Sequence, residues 1–490
     1  MELQVLNGVK MYAVLAAIAT FWVLWKLIAI LVNPISRVPG PWYTRFTRLP
    51  NQLSMLRGFT PGYAHELHKK YGRIVRTGPD EISIADIGDV KKVYDHKETF
   101  IKHPAYRTLA PSKVDSMFNT SDIELHRRYR RLLAPPMSES SLKPIIPEVY
   151  SHANATIYKM SEELQTRGTV DIFKWWWFYA TDTIGDLTFG SSFNMTESGK
   201  KNQYFEDLLA VNKSAGIRLL VPGLNKLAQY ITIPLVSDAI EGARRMRNYA
   251  VQSIARQKES ALAGNERAKN TLFSKVLEAK DNDILSEEEV VVNAQTYITA
   301  GSDTTSNTLT YLTWEVTSHP QIRDKLVAEV ATLPDDFTEA DTRELRYLDQ
   351  VIKETLRLYA AVPCTLARVV PPEGVSLSGY WIKGGTTVGC QAYTMHRDTE
   401  IFPDPDSFIP ERWENPTKAM KDALMAFGRG TRICPGAQLA MIEMRLAVAL
   451  FWRKFPTATV STKEGMSEAD MKPKIYLLTS PAGKRCLIEG

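Results

Sequence analysis

A lone cysteine set between a glycine-rich loop and a helix constrains this chain more than any other feature. Residues Ala426 to Leu450 read AFGRGTRICPGAQLAMIEMRLAVAL. Leu439, Ile442, Leu446 and Leu450 recur at helical spacing. Cys434 therefore stands just before a helix N-terminus, where free backbone N–H groups and the positive end of the dipole favour a thiolate. Gly430 and Gly436 remove side chains that would block a flat ligand, and Pro435 pre-sets φ for helix entry. Arg432 is placed to pair with an acidic group on such a ligand. Alone, the segment also fits a structural cysteine on a turn; with these neighbours it suits a thiolate ligand to iron.

The other cysteines, Cys364, Cys390 and Cys486, form no CxxC pair and no regular spacing. A disulfide framework and a structural zinc site are both disfavoured, and the main domain is expected to face a reducing compartment. The sequons at Asn119, Asn154, Asn194 and Asn212 are then unused chance matches. A net charge of +5 over 490 residues is too small to argue for nucleic acid. It is compatible with an anionic membrane surface or an acidic partner.

Residues Met11 to Val32 form an apolar run with one charge, Lys26. At ~1.5 Å per residue it covers about 33 Å, enough to cross a bilayer. Tyr12, Trp22 and Trp25 are interface types, and Lys26 lies close enough to the end to snorkel. The run is long for a signal peptide and no small-residue cleavage pattern follows, so an uncleaved anchor is expected over 11–32. Arg37, Arg45, Arg48 and Arg57 follow it, placing residues 1–10 in the lumen and the rest in the cytosol. Residues 33–42, NPISRVPGPW, read as a proline-stiffened hinge. Residues 43–490 then read as one large domain, mainly α with a small β part. Arg73–Arg76 and Glu81–Ile84 flank a Gly-Pro-Asp turn as a hairpin; Ser121 to Arg357 is mostly helical; Trp381 to Thr387 returns to short strands around Gly384-Gly385.

Three further motifs are weak alone. Glu354 and Arg357 share a helix face at i, i+3, ahead of Pro410-Glu411-Arg412-Trp413. Ala300-Gly301-Ser302-Asp303-Thr304-Thr305 lies inside a helix from about Glu288 to Ser318, where poor helix formers predict a local kink. Ala300 and Thr304 share a face there, giving small volume beside a hydroxyl. His126 and Arg130 share a face of the basic run His126–Arg131.

Taken in order, these motifs and Phe427-Gly428-Arg429-Gly430-Thr431-Arg432-Ile433-Cys434-Pro435-Gly436 resemble the cytochrome P450 family, whose heme-binding signature this segment fills at every position. Asp182–Gly190 also looks family-like. The resemblance covers the chain from the anchor to the end, and implies a mainly helical P450 fold preceded by one N-terminal transmembrane helix. It implies heme b with Cys434 as the axial ligand of the iron, bordered by Phe427, Gly430, Gly436 and Ala300. His126, Arg130, Arg368 and Arg432 would reach the heme propionates. Thr304 and Asp303 would deliver the protons that promote O–O cleavage, and Glu354, Arg357 and Arg412 would form a buried ionic network behind the cysteine. Arg127, Arg128 and Arg131 would then face outward.

The implied activity is monooxygenation of a small apolar metabolite with O2. No flavin domain or GxGxxG is fused, so NADPH electrons would arrive through a separate reductase at the endoplasmic reticulum membrane. Segments such as NAQTYITAGSDTTSNTL resemble fungal enzymes of secondary metabolism. The expected pocket walls are Tyr106–Phe118, Val221–Leu235, Ala361–Leu366 and the segment near Leu478. The rivals are a reductase-independent heme-thiolate rearrangement enzyme and a heme sensor without turnover; the Asp303-Thr304 pair argues against both.

Overall fold

The computed structural model describes residues 14–490 except 19, 23, 26, 29, 31, 96–98, 110–111, 113, 221–233, 266–267, 269–270 and 275–284. The body is built from α1 (Ile123–Leu133), α2 (Ile146–Arg167), α3 (Ile172–Phe189), α4 (Gln203–Leu220), α5 (Pro234–Leu262), α6 (Glu287–Ser318), α7 (Arg346–Leu358) and α8 (Ala437–Lys454). Local chemistry sets their ends. Asp122 caps α1 by accepting from Leu125 N–H, and Ser286 with Glu289 forms a capping box on α6. α2 and α3 stop at Gly168 and Gly190, both left-handed.

α3 is the core helix. Every residue but Lys174 is buried, including the run Trp175-Trp176-Trp177-Phe178-Tyr179, as expected for a helix apolar on all sides. α6 lies directly against it. A Cβ at Gly301 would stand 2.7 Å from Ile184 Cγ1, so only glycine permits this approach. Gly301→Ala should cost about 1–3 kcal/mol by overpacking, read as a lowered denaturation midpoint.

The poor helix formers at the centre of α6 do not interrupt it: the helix runs unbroken from Glu287 to Ser318. The hydroxyls of Thr296, Thr304, Thr308, Thr310, Thr313 and Thr317 each donate to the carbonyl four residues back. Such back-bonds satisfy the hydroxyls and tend to bend a helix without breaking it.

The β part centres on a five-stranded sheet of β1 (Ile74–Gly78), β2 (Glu81–Ile84), β3 (Ile101–Lys102), β4 (Arg368–Val369) and β5 (Thr387–Gly389), in the order β1-β2-β5-β4-β3. The expected hairpin is β1–β2, antiparallel with Ile74 opposite Ile84. The strands around Gly384-Gly385 do not pair with each other. Tyr380–Ile382 pairs with Val375–Leu377, whereas β5 joins the main sheet.

The hinge is stiffened by more than proline. The buried Arg76 guanidinium donates to the carbonyls of Ile35, Ser36, Val38 and Pro41 and to Thr44 Oγ1. Ahead of it, the described residues among 14–32 are helical, with Phe21, Trp22, Trp25 and Val32 exposed. Among the described residues no helix is long and apolar enough to cross a membrane. Residues 1–13 and Lys26 lie outside the described residues, so the expected anchor is only partly covered. The same holds for Val221–Leu235, of which only Pro234 and Leu235 are described as helical.

Candidate active site

The Cys434 loop is held by backbone. Cys434 N–H donates to Phe427 O at 2.9 Å, Gly430–Arg432 forms a 3-10 turn, and α8 begins at Ala437. Gly436 N–H points at the Cys434 sulfur. Burial pushes the thiol up from its ordinary value, while the Gly436 N–H and Arg130 pull it partly back. The helix start and the Arg130 charge thus act against burial at this sulfur. The two glycines also differ in role. A Cβ at Gly436 would sit 3.9 Å from Cys434 Sγ, on the ligand side. At Gly430 (φ +71°) it would stand 2.2 Å from Tyr94 O. Gly430 is thus required by a backbone approach and not by clearance for a flat ligand.

Although the sulfur is surrounded by protein, Cys434 and its neighbour Ile433 are accessible, Ile433 to 41%. Halfway along α6, Ala300 is likewise exposed and Thr304 half-exposed, while Ser302, Asp303 and Thr305 are buried. Cys434 and the Ala300, Gly301 and Thr304 positions of the otherwise largely buried α6 are thus open to contact. Tyr297 of α6 feels both Arg130 and Cys434 electrostatically, which places this part of α6 near the cysteine loop. Thr304 Oγ1 donates to Ala300 O at 2.7 Å. Asp303 points elsewhere: its Oδ1 accepts from Trp177 Nε1 of α3 at 2.8 Å.

Basic residues border the same loop. Arg130 donates to Ile433 O at 2.6 Å and Arg432 to Thr120 O at 2.8 Å. His126 is buried one turn before Arg130. Arg368 is buried on β4, directly across the ladder from Lys102 on β3. The sequence reading missed Lys102. Its ammonium donates to Phe118 O and lies 4.2 and 4.0 Å from the Tyr106 and Phe118 ring centroids. Burial, then Arg368 and Arg432, drive its proton affinity well below the ordinary value. Cations that crowd one another in this way fit a ligand carrying carboxylates. Lys102 carried no motif; only the β3–β4 register exposes it. Arg128 does not face outward as expected: it pairs with Glu289 at 2.8 Å and joins α1 to α6.

Glu354, Arg357 and Arg412 come together in the interior. Glu354 takes two bonds from Arg357, one from Arg412 Nε, one from Trp413 Nε1 and one from Ile409 N–H, all 2.8–2.9 Å. Arg357 also donates to the carbonyls of His396, Pro405 and Ser407. His396, which no motif marks, links this network to the cysteine loop. It bonds Arg357 O through Nδ1 and accepts from Met425 N–H at Nε2, both at 2.8 Å. That pattern fixes the neutral Nδ1–H tautomer, and burial lowers its pKa from 6.5 to about 3.

Glu443 of α8 is buried too and accepts from Thr305 Oγ1 at 2.9 Å, and burial raises its pKa from 4.5 to about 8. The two groups act on stability with opposite signs. From pH 6.5 down to about 3, the unfolded chain gains a proton that folded His396 refuses, so stability falls as pH falls. From pH 4.5 up to about 8, folded Glu443 keeps a proton that the unfolded chain releases, so stability falls as pH rises. Glu443→Gln keeps an acceptor for Thr305 and abolishes the second loss. It should stabilise by roughly 4 kcal/mol at pH 8 and by almost nothing at pH 4.5, read from denaturation midpoints across pH.

A cytochrome P450 family model matches residues 40–486. The chain belongs to the cytochrome P450 family. It is 43% identical to the cytochrome P450 monooxygenase tazI of Aspergillus terreus, over 95% of this chain and 96% of that protein. It is 38% identical to the cytochrome P450 monooxygenase orf2 of Aspergillus niger, over 93% of both. It is 31% identical to the cytochrome P450 monooxygenase aflV of Aspergillus parasiticus, over 96% and 95%. This P450 is accordingly a monooxygenase, and its family implies a heme cofactor, a redox partner, O2 and a small substrate.

Proposed function

We propose that this P450 oxidises a small apolar metabolite of fungal secondary metabolism, with heme b held between the Cys434 loop and the middle of α6. The observation that carries this reading is the exposed Cys434 on a backbone-locked loop, together with the exposed Ala300 and half-exposed Thr304 of α6. Heme, when bound, supplies the dioxygen chemistry. The protein's own residues do the rest. Cys434 would hold the iron, whose positive charge at the sulfur would offset the burial that pushes the thiol up. His126, Arg130, Arg368, Arg432 and Lys102 neutralise the two carboxylates, while Phe427, Gly436 and Ala300 leave room for the macrocycle.

Thr304 presents its hydroxyl to the site and relays protons brought by Asp303. Electrons come from NADPH through a separate diflavin reductase. The apolar run 11–32 anchors the enzyme in the endoplasmic reticulum membrane with the domain cytosolic, a reading supported by the sequence run and its exposed tryptophans. The test is turnover with reductase and NADPH, using naphthalene as an apolar pocket filler. Thr304→Ala should lower the electrons reaching oxidised product and water roughly tenfold in favour of peroxide. An unchanged peroxide share would remove Thr304 from the reaction.

A further inference from the structure

Residues Ser116 to Thr120 form a closed turn. Asn119 Oδ1 accepts from Ser116 N–H at 2.7 Å and from Ser116 Oγ at 3.3 Å, and Thr120 N–H donates to Ser116 O at 3.1 Å. Ser116, Met117, Asn119 and Thr120 are buried, whereas Phe118 between them is 45% exposed. The turn is tied to three elements that border the site. Met117 N–H donates to Asn293 Oδ1 of α6 at 2.8 Å, Lys102 of β3 donates to Phe118 O, and Arg432 of the Cys434 loop donates to Thr120 O at 2.8 Å. Asn293 precedes Ala300 by seven residues, two turns along one face of α6 and about 10 Å.

Lys102 holds the exposed ring as well as the carbonyl. Its ammonium stands 4.0 Å from the Phe118 centroid and 4.2 Å from that of Tyr106, and the two rings meet edge-to-face at 6.0 Å. Tyr106 is fixed in turn: its hydroxyl donates to Thr365 O at 3.4 Å and accepts from Ala367 N–H at 3.2 Å. That joins the expected wall Tyr106–Phe118 to the expected wall Ala361–Leu366. An ammonium has three donors and no acceptor, so the bond to Phe118 O leaves Lys102 able to meet a carboxylate as well. Its partner across the β3–β4 ladder is Arg368. Burial first, then Arg368 and Arg432, weaken the hold of Lys102 on its proton, and a carboxylate beside it opposes that loss.

We infer that Lys102 is a positioning residue for substrate selection: it holds a heme carboxylate and Phe118 at once, and so fixes the Phe118 ring as a wall of the substrate space when the cofactor is in place. The inference rests on the proposed heme site and adds to it a link between cofactor and wall. Phe118 then selects by shape. A ligand with an aromatic substituent packs on the ring, and a small one does not reach it. Asn293 and Arg432 keep the backbone of the turn in register, so the link runs through Phe118 itself.

Two measurements on the full-length protein decide it, and neither uses turnover. The first is hydrogen exchange at the Met117 and Thr120 amides of protein loaded with heme b or with its dimethyl ester, which lacks the two charges. Exchange should be about tenfold slower with heme b, and Lys102→Met should abolish the difference. Equal exchange with the two hemes overturns the inference. The second is the affinity of ferric protein for 4-phenylimidazole relative to imidazole, read from the Soret shift. Phe118→Ala should lower that ratio about fivefold. Lys102→Met should lower it in the same direction, and the double variant should match Phe118→Ala alone. A ratio that Lys102→Met leaves unmoved, or additive effects in the double variant, overturns the inference, since a merely structural loss weakens both azoles alike. Loaded protein without the red-shifted carbon monoxide band would instead remove the heme site itself, and the inference with it.

Discussion

Glu354→Ala is expected to yield protein that folds poorly and holds no heme. The carboxylate receives five hydrogen bonds from two guanidiniums, an indole and a backbone N–H, in a place with no exposure. Removing it leaves the Arg357 charge buried and uncompensated, a change that costs about 3–5 kcal/mol in comparable sites. Domains are stable by only about 5–15 kcal/mol, so the loss is a large fraction of the whole. A fall in melting temperature on the order of 10 °C should accompany it. Glu354→Gln retains an acceptor but not the charge and should fall between the two. Arg357→Ala should be as damaging, because it also strands the carbonyls of His396, Pro405 and Ser407. The double variant should be much less harmful than the sum of the singles. Since His396 bonds both Arg357 O and Met425 N–H, damage to the network reaches the loop that carries Cys434. Heme content should therefore fall more steeply than secondary structure, as measured by the Soret-to-protein absorbance ratio against far-ultraviolet circular dichroism.

How far the sequence reaches depends on whether a feature is local. The helix after Cys434, the β1–β2 hairpin and the long α6 are legible because periodicity and turn residues act over a few positions. α6 stays continuous through its poor helix formers, whose threonine hydroxyls bond back within the helix, which propensity alone does not register. Residues that act through tertiary contacts left no local trace. Lys102 matters only because β3 pairs with β4. His396 matters because a loop brings it to Arg357 O. Arg76 reads as an ordinary strand residue until it is seen gripping the hinge. Gly430 was assigned the wrong neighbour for the same reason: Tyr94 lies far away in sequence. The motif marks Asp303 as the acidic neighbour of Thr304, but the direction of its side chain follows from packing against α3.

The second large effect concerns Cys434. Its loop is closed by Cys434 N–H to Phe427 O and by the start of α8 at Ala437, and the sulfur's own contact is with Gly436 N–H. Cys434→Ala should therefore fold like the wild type, with a melting temperature within a few degrees. The sulfur is nevertheless the proposed ligand that sets the electronics of the iron. NADPH-dependent turnover should drop at least about a hundredfold. The most direct test is the absorption spectrum of the purified, dithionite-reduced protein under carbon monoxide. The wild type should give the red-shifted Soret band of thiolate ligation, and Cys434→Ala should lose it while remaining folded. A wild-type band at the shorter wavelength typical of histidine ligation, or a red-shifted band that survives in Cys434→Ala, would contradict the assignment of Cys434 as the heme ligand.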